Sequence, residues 1–298
     1  MQPRHWIGFA CLASVWGTTW LAVRVVVTEA PPFLSAGIRF VLAALLLGAV
    51  VKWRGLPLGW TQYSAADRRL MLQLSVLMIA VPYALVFWGE QFITAGLAGV
   101  LFSTHSVFIV LFESLRQRRS VLTGKILTGV LLAFGGIVVI FWPRLGVPEE
   151  WLGALAMLGA GASSALATIV AKYKAQRLDP MVMVTWQMGI GAVPLLVLGV
   201  WLEAGSATNA SLKAWLALAY LIVFGSCVAF VLYYWLLKQL TTVQISTLAY
   251  ITPVVAVTSG WFLLGETMGW FTLAGAAMAL TGVFLLHSKE PDAVPAGD

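Results

Sequence analysis

The chain has 298 residues, of which 60% are hydrophobic and only 10% are charged, and its mean hydropathy is +0.91. A soluble domain carries about a quarter charged residues, so this composition excludes a water-soluble globule and favours a membrane protein. The net charge of +6 does not indicate a nucleic-acid partner, because the basic residues are dispersed between apolar runs, as residues that flank membrane spans are.

Ten apolar runs of about the length needed to cross a bilayer follow one another along the chain. Turn and charge signals separate them, and the weakest separation is at 92–95. The sequence therefore predicts an all-α membrane protein, with a disordered tail over 289–298. The predicted helices cover residues 5–26, 33–52, 69–92, 95–116, 121–142, 151–172, 180–202, 213–238, 242–264 and 269–288.

The first of these runs resembles a signal peptide, because it follows Arg4 and begins at Trp6. No cleavage site follows it, and it continues to Val27, which is long enough to span. We interpret it as a retained transmembrane helix.

The charges between the runs predict the orientation. With a cytoplasmic N-terminus, fourteen Lys and Arg residues lie on the cytoplasmic side, whereas only Arg144 and Lys213 lie outside. This positive-inside bias predicts that both termini are cytoplasmic.

A weak internal repeat relates the two halves of the chain. Identities recur at an offset of 148 residues, from Gln91, Thr94, Thr104 and Val107 to Gln239, Thr242, Thr252 and Val255. Others recur at an offset of 146, from Leu127, Gly129, Ala133 and Gly136 to Leu273, Gly275, Ala279 and Gly282. Five helices are an odd number, so the second copy enters the membrane from the opposite side, as in the inverted repeats of many transporters. The predicted copies cover 1–145 and 146–288.

Four segments resemble the EamA-type exporters of the drug/metabolite transporter superfamily: WGTTWLAVR (16–24), AGIRF (36–40), GEQFITAGLAGVL (89–101) and AYITPVVAV…LLGE (249–266). The resemblance covers both halves. It implies a ten-helix bacterial inner-membrane transporter that exports amino acids, amines and other small metabolites through a central cavity. Exporters of this family usually carry a proline in the middle of the fourth helix, where this chain has His105, whereas the second half keeps Pro253.

Charged residues inside the apolar runs are candidate functional groups. Arg24 shares a helical face with small residues, so it either points into the bundle or snorkels to the interface. Arg39 lies roughly 10 Å below the outer boundary, where a charge needs a partner or a water-filled cavity. Glu90 is the nearest candidate partner, and the predicted Arg39–Glu90 pair is either structural or part of an outer gate or substrate site. Glu266 is interpreted as a loop acid or a helix cap.

Aromatic residues and prolines within the helices form a second group of candidates. Trp16, Trp20, Trp186 and Tyr250 lie away from the membrane interfaces and either pack or form a cavity wall for an amphipathic or cationic solute. Pro82, Pro194 and Pro253 lie in mid-helix, where each removes a backbone hydrogen bond and allows a bend. We therefore predict hinges at these prolines.

His105 is near the membrane midplane and points away from the small-residue face of its helix. A polar ring facing lipid is disfavoured, so we predict either a cavity contact or a neutral, hydrogen-bonded packing role. A metal site or a catalytic role lacks partners, because His5 and His287 lie at the membrane boundaries. Cys11 and Cys227 form no C-x-x-C pair, so we expect neither a zinc site nor a disulfide.

These features favour a secondary transporter that is not an enzyme, has no cofactor, and acts on a small-molecule substrate within the lipid bilayer as a monomer or weak homodimer. The P-loop pattern is absent, so a gradient must supply the energy. An anion or sugar-phosphate exchanger would need several deep basic residues, and only Arg24 and Arg39 qualify. An intramembrane enzyme or sensor would need a catalytic constellation or a further domain, and neither is found in the sequence.

Overall fold

The structure, a computed structural model, describes residues 3–116, 124–144, 147–206, 210–240, 245, 248–266 and 269–287. The predicted tail, 289–298, lies outside these residues. The described part forms ten long helical segments and two short 3₁₀ turns, Trp60–Gln62 and Trp142–Arg144. The long segments are α1 (Pro3–Val27), α2 (Pro32–Trp53), α3 (Ala65–Gly89), α4 (Ala95–Arg116), α5 (Gly124–Phe141), α6 (Pro148–Lys174), α7 (Pro180–Leu202), α8 (Leu212–Gln239), α9 (Leu248–Leu264) and α10 (Trp270–His287).

Seven of these segments, α1 to α4 and α6 to α8, are long and apolar enough to cross a membrane. The other three contain shorter apolar stretches, Leu127–Ile140, Ile251–Leu264 and Trp270–Leu285. The chain is therefore a multi-pass, all-helical membrane protein, as predicted. The ten crossings, the inverted repeat and the orientation remain predictions.

The connection between α3 and α4 differs from the predicted one. Helix α3 begins at Ala65 and ends at Gly89, whereas the sequence indicated 69–92. Thr94 caps α4, because its hydroxyl accepts a hydrogen bond of 3.3 Å from the Leu97 N–H. The polar N-cap, rather than the weak change in hydropathy, sets where α4 starts.

Helices α3 and α8 each contain a π-helical segment, Ser75–Ala80 and Leu221–Val228. In α3 the Val81 N–H donates to the Val76 carbonyl, five residues back. Pro82 follows directly and has no N–H to give, so the extra residue per turn accommodates it. Segment Leu221–Val228 contains no proline, and nothing in the sequence indicated it.

Helix α4 is interrupted at Ser103 and Thr104, between Ala95–Phe102 and His105–Arg116. The Thr104 N–H donates to the Leu101 carbonyl, and the side-chain hydroxyls of Ser103 and Thr104 donate back to the carbonyls of Val100 and Leu101. These local bonds compete with the regular helical ones. The break that a proline would cause is therefore present without one, immediately before His105.

Small residues bring helices into close contact. A Cβ atom on Gly136 of α5 would lie 2.5 Å from the Gly275 carbonyl oxygen of α10, and one on Gly282 would lie 2.4 Å from the Ala133 nitrogen. These distances leave no room for a side chain, so the two helices pack backbone to backbone. Helix α2 packs on α7, α1 on α9, and α4 on α6, which leaves a space at the centre of the bundle.

Candidate functional site

A cavity of about 120 Å³ lies between α1, α2, α3, α4, α6, α8 and α9. Helices α5, α7 and α10 contribute no described residue to its wall. Most of the wall is apolar or aromatic, and a few polar side chains project from it, which is the usual composition of a small-molecule site. Those polar side chains come from Thr19, Arg39, Tyr83, Ser103, His105, Ser106, Ser164, Thr168, Tyr233 and Thr252.

Aromatic rings line the α1 side of the cavity. The Trp16 ring lies 5.0 Å from the Tyr233 ring and 5.8 Å from the Phe230 ring, and the Trp20 ring lies 5.1 Å from Phe102. The buried Trp16 Nε1 meets no acceptor among the described residues. It can therefore offer a hydrogen bond to a solute in the cavity.

His105 joins a short chain of polar side chains on the cavity wall. Its Nε2 lies 3.4 Å from the Thr168 hydroxyl, which lies 2.7 Å from the Tyr233 hydroxyl and donates to the Ser164 carbonyl. Because that donor is used, Thr168 can accept from Tyr233 and from a His105 ring protonated at Nε2. The His105 ring stacks on Phe102, with centroids 5.8 Å apart.

Arg39 is 1% exposed and also faces the cavity. Its Nε donates to the Ser226 hydroxyl at 2.8 Å, and one Nη donates to the Gly225 carbonyl at 3.1 Å. Both partners belong to the π-helical segment of α8. The guanidinium carbon lies 4.9 Å and 4.8 Å from the ring centres of Phe40 and Tyr83, which attract its charge.

Arg39 and Glu90 make no close ion pair in this conformation, although the two groups interact at longer range. Arg39 donates a hydrogen bond to Ser226 of α8 instead, and Arg24 donates to the Glu90 backbone carbonyl. The Glu90 side chain is fully buried, and no described residue gives a hydrogen bond to either of its carboxyl oxygens. Neither Arg24 nor Glu90 lines the central cavity; Arg24 lies instead on a separate, charged recess.

The remaining candidates are dispersed. The predicted cavity residue Trp186 does not line the cavity, because its ring packs 4.7 Å from Trp60 in the α2–α3 connection. The side chain of Tyr250 lies outside the described residues. Pro82 lies on the cavity wall and Pro253 is buried within α9, whereas Pro194 is exposed on a helix that continues past it.

At both ends of the bundle, a cationic side chain donates hydrogen bonds to backbone carbonyl groups of another helix. At one end, named here the Arg24 end, Arg24 near the end of α1 contacts the Glu90 carbonyl just after α3. At the other, the Lys172 end, Lys172 near the end of α6 donates to the carbonyls of Leu237 and Leu240, both at 2.8 Å, at the end of α8. A cation is favourable at a helix C-terminus, where carbonyls lack partners.

Two carboxylates hold helix N-termini at the Arg24 end. Glu266, from the α9–α10 connection, accepts from the N–H groups of Ala95 and Gly96 at the start of α4, at 2.8 and 3.1 Å. Glu203, after α7, accepts from Phe33 and Leu34 at the start of α2. The interpretation of Glu266 as a helix cap is confirmed, although the capped helix is remote in sequence.

Sequence reasoning missed Thr168, Tyr233 and Ser226. Each lies within an apolar run, and hydroxyl-bearing residues are common there without any function. Only the folded arrangement brings the first two to His105 and the third to Arg39.

A family model described as the EamA-like transporter family matches the chain twice, over residues 4–142 and again over 151–288. The chain belongs to the EamA-like transporter family. An uncharacterized inner membrane transporter of Escherichia coli, YedA, is 30% identical, and the alignment covers 95% of this chain and 92% of that protein. An uncharacterized transporter of Synechocystis is 27% identical, with 93% and 87% covered.

One solved crystal structure has the same fold. It matches with a TM-score of 0.70 at 17% identity and covers 96% of this chain and 98% of its own. At this identity the likeness supports the fold alone. The family match and the names of its relatives identify this chain as a membrane transporter.

Proposed function

We propose that this EamA-family protein is a secondary transporter of a bacterial inner membrane. It exports small polar or amphipathic metabolites, such as amino acids or amines, by alternating access, as a monomer or weak homodimer. A gradient of protons or of the substrate itself drives it. YedA, the relative from Escherichia coli, is named an inner membrane transporter, which supports the proposed location.

The observation that carries this proposal is a central cavity with a separate closing contact at each end. Arg24 holds the end of α3 and Lys172 holds the end of α8, and the two residues are 148 residues apart, the offset that relates Gln91 to Gln239. Release of one contact at a time would expose the cavity to one side of the membrane and then to the other. This is the behaviour that inverted repeats provide in transporters.

Further features support two inverted five-helix copies over 1–145 and 146–288. The third helix of each copy carries a π-helical segment, Ser75–Ala80 or Leu221–Val228, and π-segments are frequent at functional sites.

The loop charges favour cytoplasmic termini, so the Arg24 end faces outward. A C-terminal phosphatase fusion should then be inactive and a C-terminal fluorescent fusion should be bright, whereas the reverse result would contradict the orientation.

The cavity disfavours exchange of phosphorylated solutes. Arg39 is the single lysine or arginine among the described residues of its wall, and a phosphate dianion is normally held by several cations or N–H groups. We therefore do not retain the sugar-phosphate exchanger as a second function.

Transport in proteoliposomes tests the proposal. Purified protein is reconstituted and screened for uptake or efflux of radiolabelled amino acids, amines and organic acids under a pH gradient and without one. Trp16→Ala and Trp20→Ala should reduce transport of any solute that is moved, because both rings form the cavity wall. Trp201→Ala, an exposed residue on α7, is the matched control. Equal loss in all three variants would place the site elsewhere.

A further inference from the structure

We infer that Arg39 is the receptor for a carboxylate group, so that the cavity takes amphipathic organic acids and zwitterions in preference to free amines. This inference rests on the proposed function and names the substrate class of the same site. Three observations carry it: an unused donor, the absence of a close ion pair, and the arrangement of the cavity wall.

The first observation is the unused donor on a buried cation. The Arg39 Nη1 is buried and donates to no oxygen of the described residues, although Nε and the other Nη hold Ser226 and Gly225. A buried donor without an acceptor is unfavourable unless another group satisfies it. Two of the three nitrogens fix the plane of the guanidinium against α8, and the third belongs to a side chain that borders the cavity.

The second observation concerns charge. Among the described residues, no carboxylate lies within ion-pair distance of Arg39, although the buried Glu90 interacts with it at longer range, and the described cavity wall contains no aspartate or glutamate. Buried charges in proteins are normally paired. The faces of Phe40 and Tyr83 attract the guanidinium but do not neutralise it. A solute that brings a negative charge supplies the missing partner, whereas an amine would bring a second positive charge.

The third observation is the path that leads from Arg39 to His105. Arg39 contacts the Tyr83 ring, and successive ring contacts then join Tyr83 to Phe230, Phe230 to Trp16 and Trp16 to Tyr233. This path ends at the hydrogen-bonded group of Tyr233, Thr168 and His105. Aromatic rings thus lie between the cation of Arg39 and the neutral polar group around His105. This arrangement fits an acid with an apolar body and a polar group at the end away from its carboxylate.

Matched acid and amine pairs test the inference on the unaltered protein. The probes are 3-phenylpropionate against phenethylamine and pentanoate against butylamine, together with phenylalanine, which carries both groups. Binding to the full-length protein in detergent is measured by calorimetry and by the rise in melting temperature. Each acid should bind at least about tenfold more tightly than its amine, the size of effect expected of one charge-assisted hydrogen bond.

Variants locate the effect at Arg39. Arg39→Gln should remove the acid preference, and Arg39→Lys should keep part of it, because a lysine retains the charge but not the planar fork. Ser226→Ala leaves the charge and removes the bond to Nε, so acid affinity should fall severalfold. Arg177→Gln, an arginine exposed near the surface, is the matched control and should bind the acids as the unaltered protein does.

Two results would overturn the inference: an amine that binds as tightly as its acid, or the failure of every acid in the panel to bind. If Arg39→Gln does not fold, the acid-to-amine ratio of the unaltered protein and the Ser226→Ala variant still decide. A protein that transports an amine but binds no acid would reject the role of Arg39 and leave the transporter proposal intact. A protein that binds acids in the cavity but transports none of them would support the role of Arg39 and reject the transporter proposal.

Discussion

At the Arg24 end of the bundle, Arg24 donates to one backbone carbonyl. The carboxylates of Glu203 and Glu266 accept hydrogen bonds from N–H groups at the starts of α2 and α4. At the Lys172 end, one lysine holds two carbonyls of α8, and Lys238 donates to the Leu178 carbonyl at 2.6 Å. Both ends thus use cations on helix C-termini. The carboxylates at the Arg24 end cap helices that are remote in sequence, whereas Asp179 at the Lys172 end caps its own helix, α7.

The two ends of the bundle therefore differ in how their carboxylates are placed. Opening the Arg24 end would separate the part-buried carboxylate caps of Glu203 and Glu266, whereas the acid contacts between helices at the Lys172 end, Arg177–Asp67 and Tyr173–Glu113, are exposed to solvent. A lysine ammonium is more strongly hydrated than a guanidinium, so water competes better for it. We therefore expect the Lys172 end to open more easily in the absence of substrate.

The largest expected effect comes from removing one closing cation at a time. The cavity residue Ser106 is replaced by cysteine in a protein without Cys11 and Cys227, and a membrane-impermeant maleimide is added from either side. Arg24→Met should raise labelling from the Arg24 side about tenfold, and Lys172→Met should do so from the other side. A hydrogen bond to a charged group contributes about 1.5–3 kcal/mol, and 1.4 kcal/mol is a factor of ten.

Nearby cations provide the controls for this experiment. Lys174 and Lys213 are exposed, and neither lines the central cavity. Lys174→Met and Lys213→Met should therefore leave labelling unchanged from both sides. The double variant Arg24→Met with Lys172→Met should return the balance towards that of the unaltered protein. Increased labelling from the same side in both single variants would show that these contacts do not close opposite ends.

The second prediction tests the anions that distinguish the Arg24 end. Glu266→Ala leaves the N–H groups of Ala95 and Gly96 without their acceptors, and Glu203→Ala does the same to Phe33 and Leu34. Each change should lower the free energy of unfolding by about 1–3 kcal/mol. Thermal denaturation in detergent measures this. Glu149→Ala, at an exposed position on α6, is the control, and an equal loss there would remove the special role of both caps.

Much of the helical architecture could be predicted, because about twenty apolar residues in succession have few alternatives to a membrane helix. Arg39 is buried, and Trp16, Trp20 and His105 line the cavity, positions that their places within the apolar runs had suggested. The partner of Arg39 could not be predicted, because the π-helical segment of α8 that receives it has no proline or other local signal. The position of Trp186 could not be predicted either, because its place in the sequence of α7 does not reveal that Trp60 packs against its ring.

The third prediction concerns α4, midway between the two ends. His105 is the first residue of the segment His105–Arg116, a position where proline is tolerated because its missing N–H is not needed there. His105→Pro should therefore keep the melting temperature within a few degrees while reducing transport or substrate affinity severalfold. His105→Gln should retain affinity but flatten the pH dependence if the ring carries a proton. Unchanged transport, affinity and pH profile in both variants would make His105 a packing residue.

The smallest expected effect lies at the surface of the Arg24 end, where Glu29 joins the α1–α2 connection to the start of α8. The Ser211 side chain and the 2.8 Å bond from the Ser211 N–H lower the pKa of the Glu29 carboxyl below its ordinary value, and Lys213 adds to this. A lowered folded-state pKa stabilises the protein above the ordinary glutamate value of about 4.3, and this stabilisation is lost as the pH falls through the folded-state pKa. Glu29→Gln should therefore be slightly less stable than the unaltered protein at pH 7, and the difference in melting temperature should shrink as the pH is lowered below about 4. The contact lies at the solvent-exposed surface, so high salt should also reduce the difference. A difference that persists unchanged at low pH would show that Glu29 acts through packing and not through its charge.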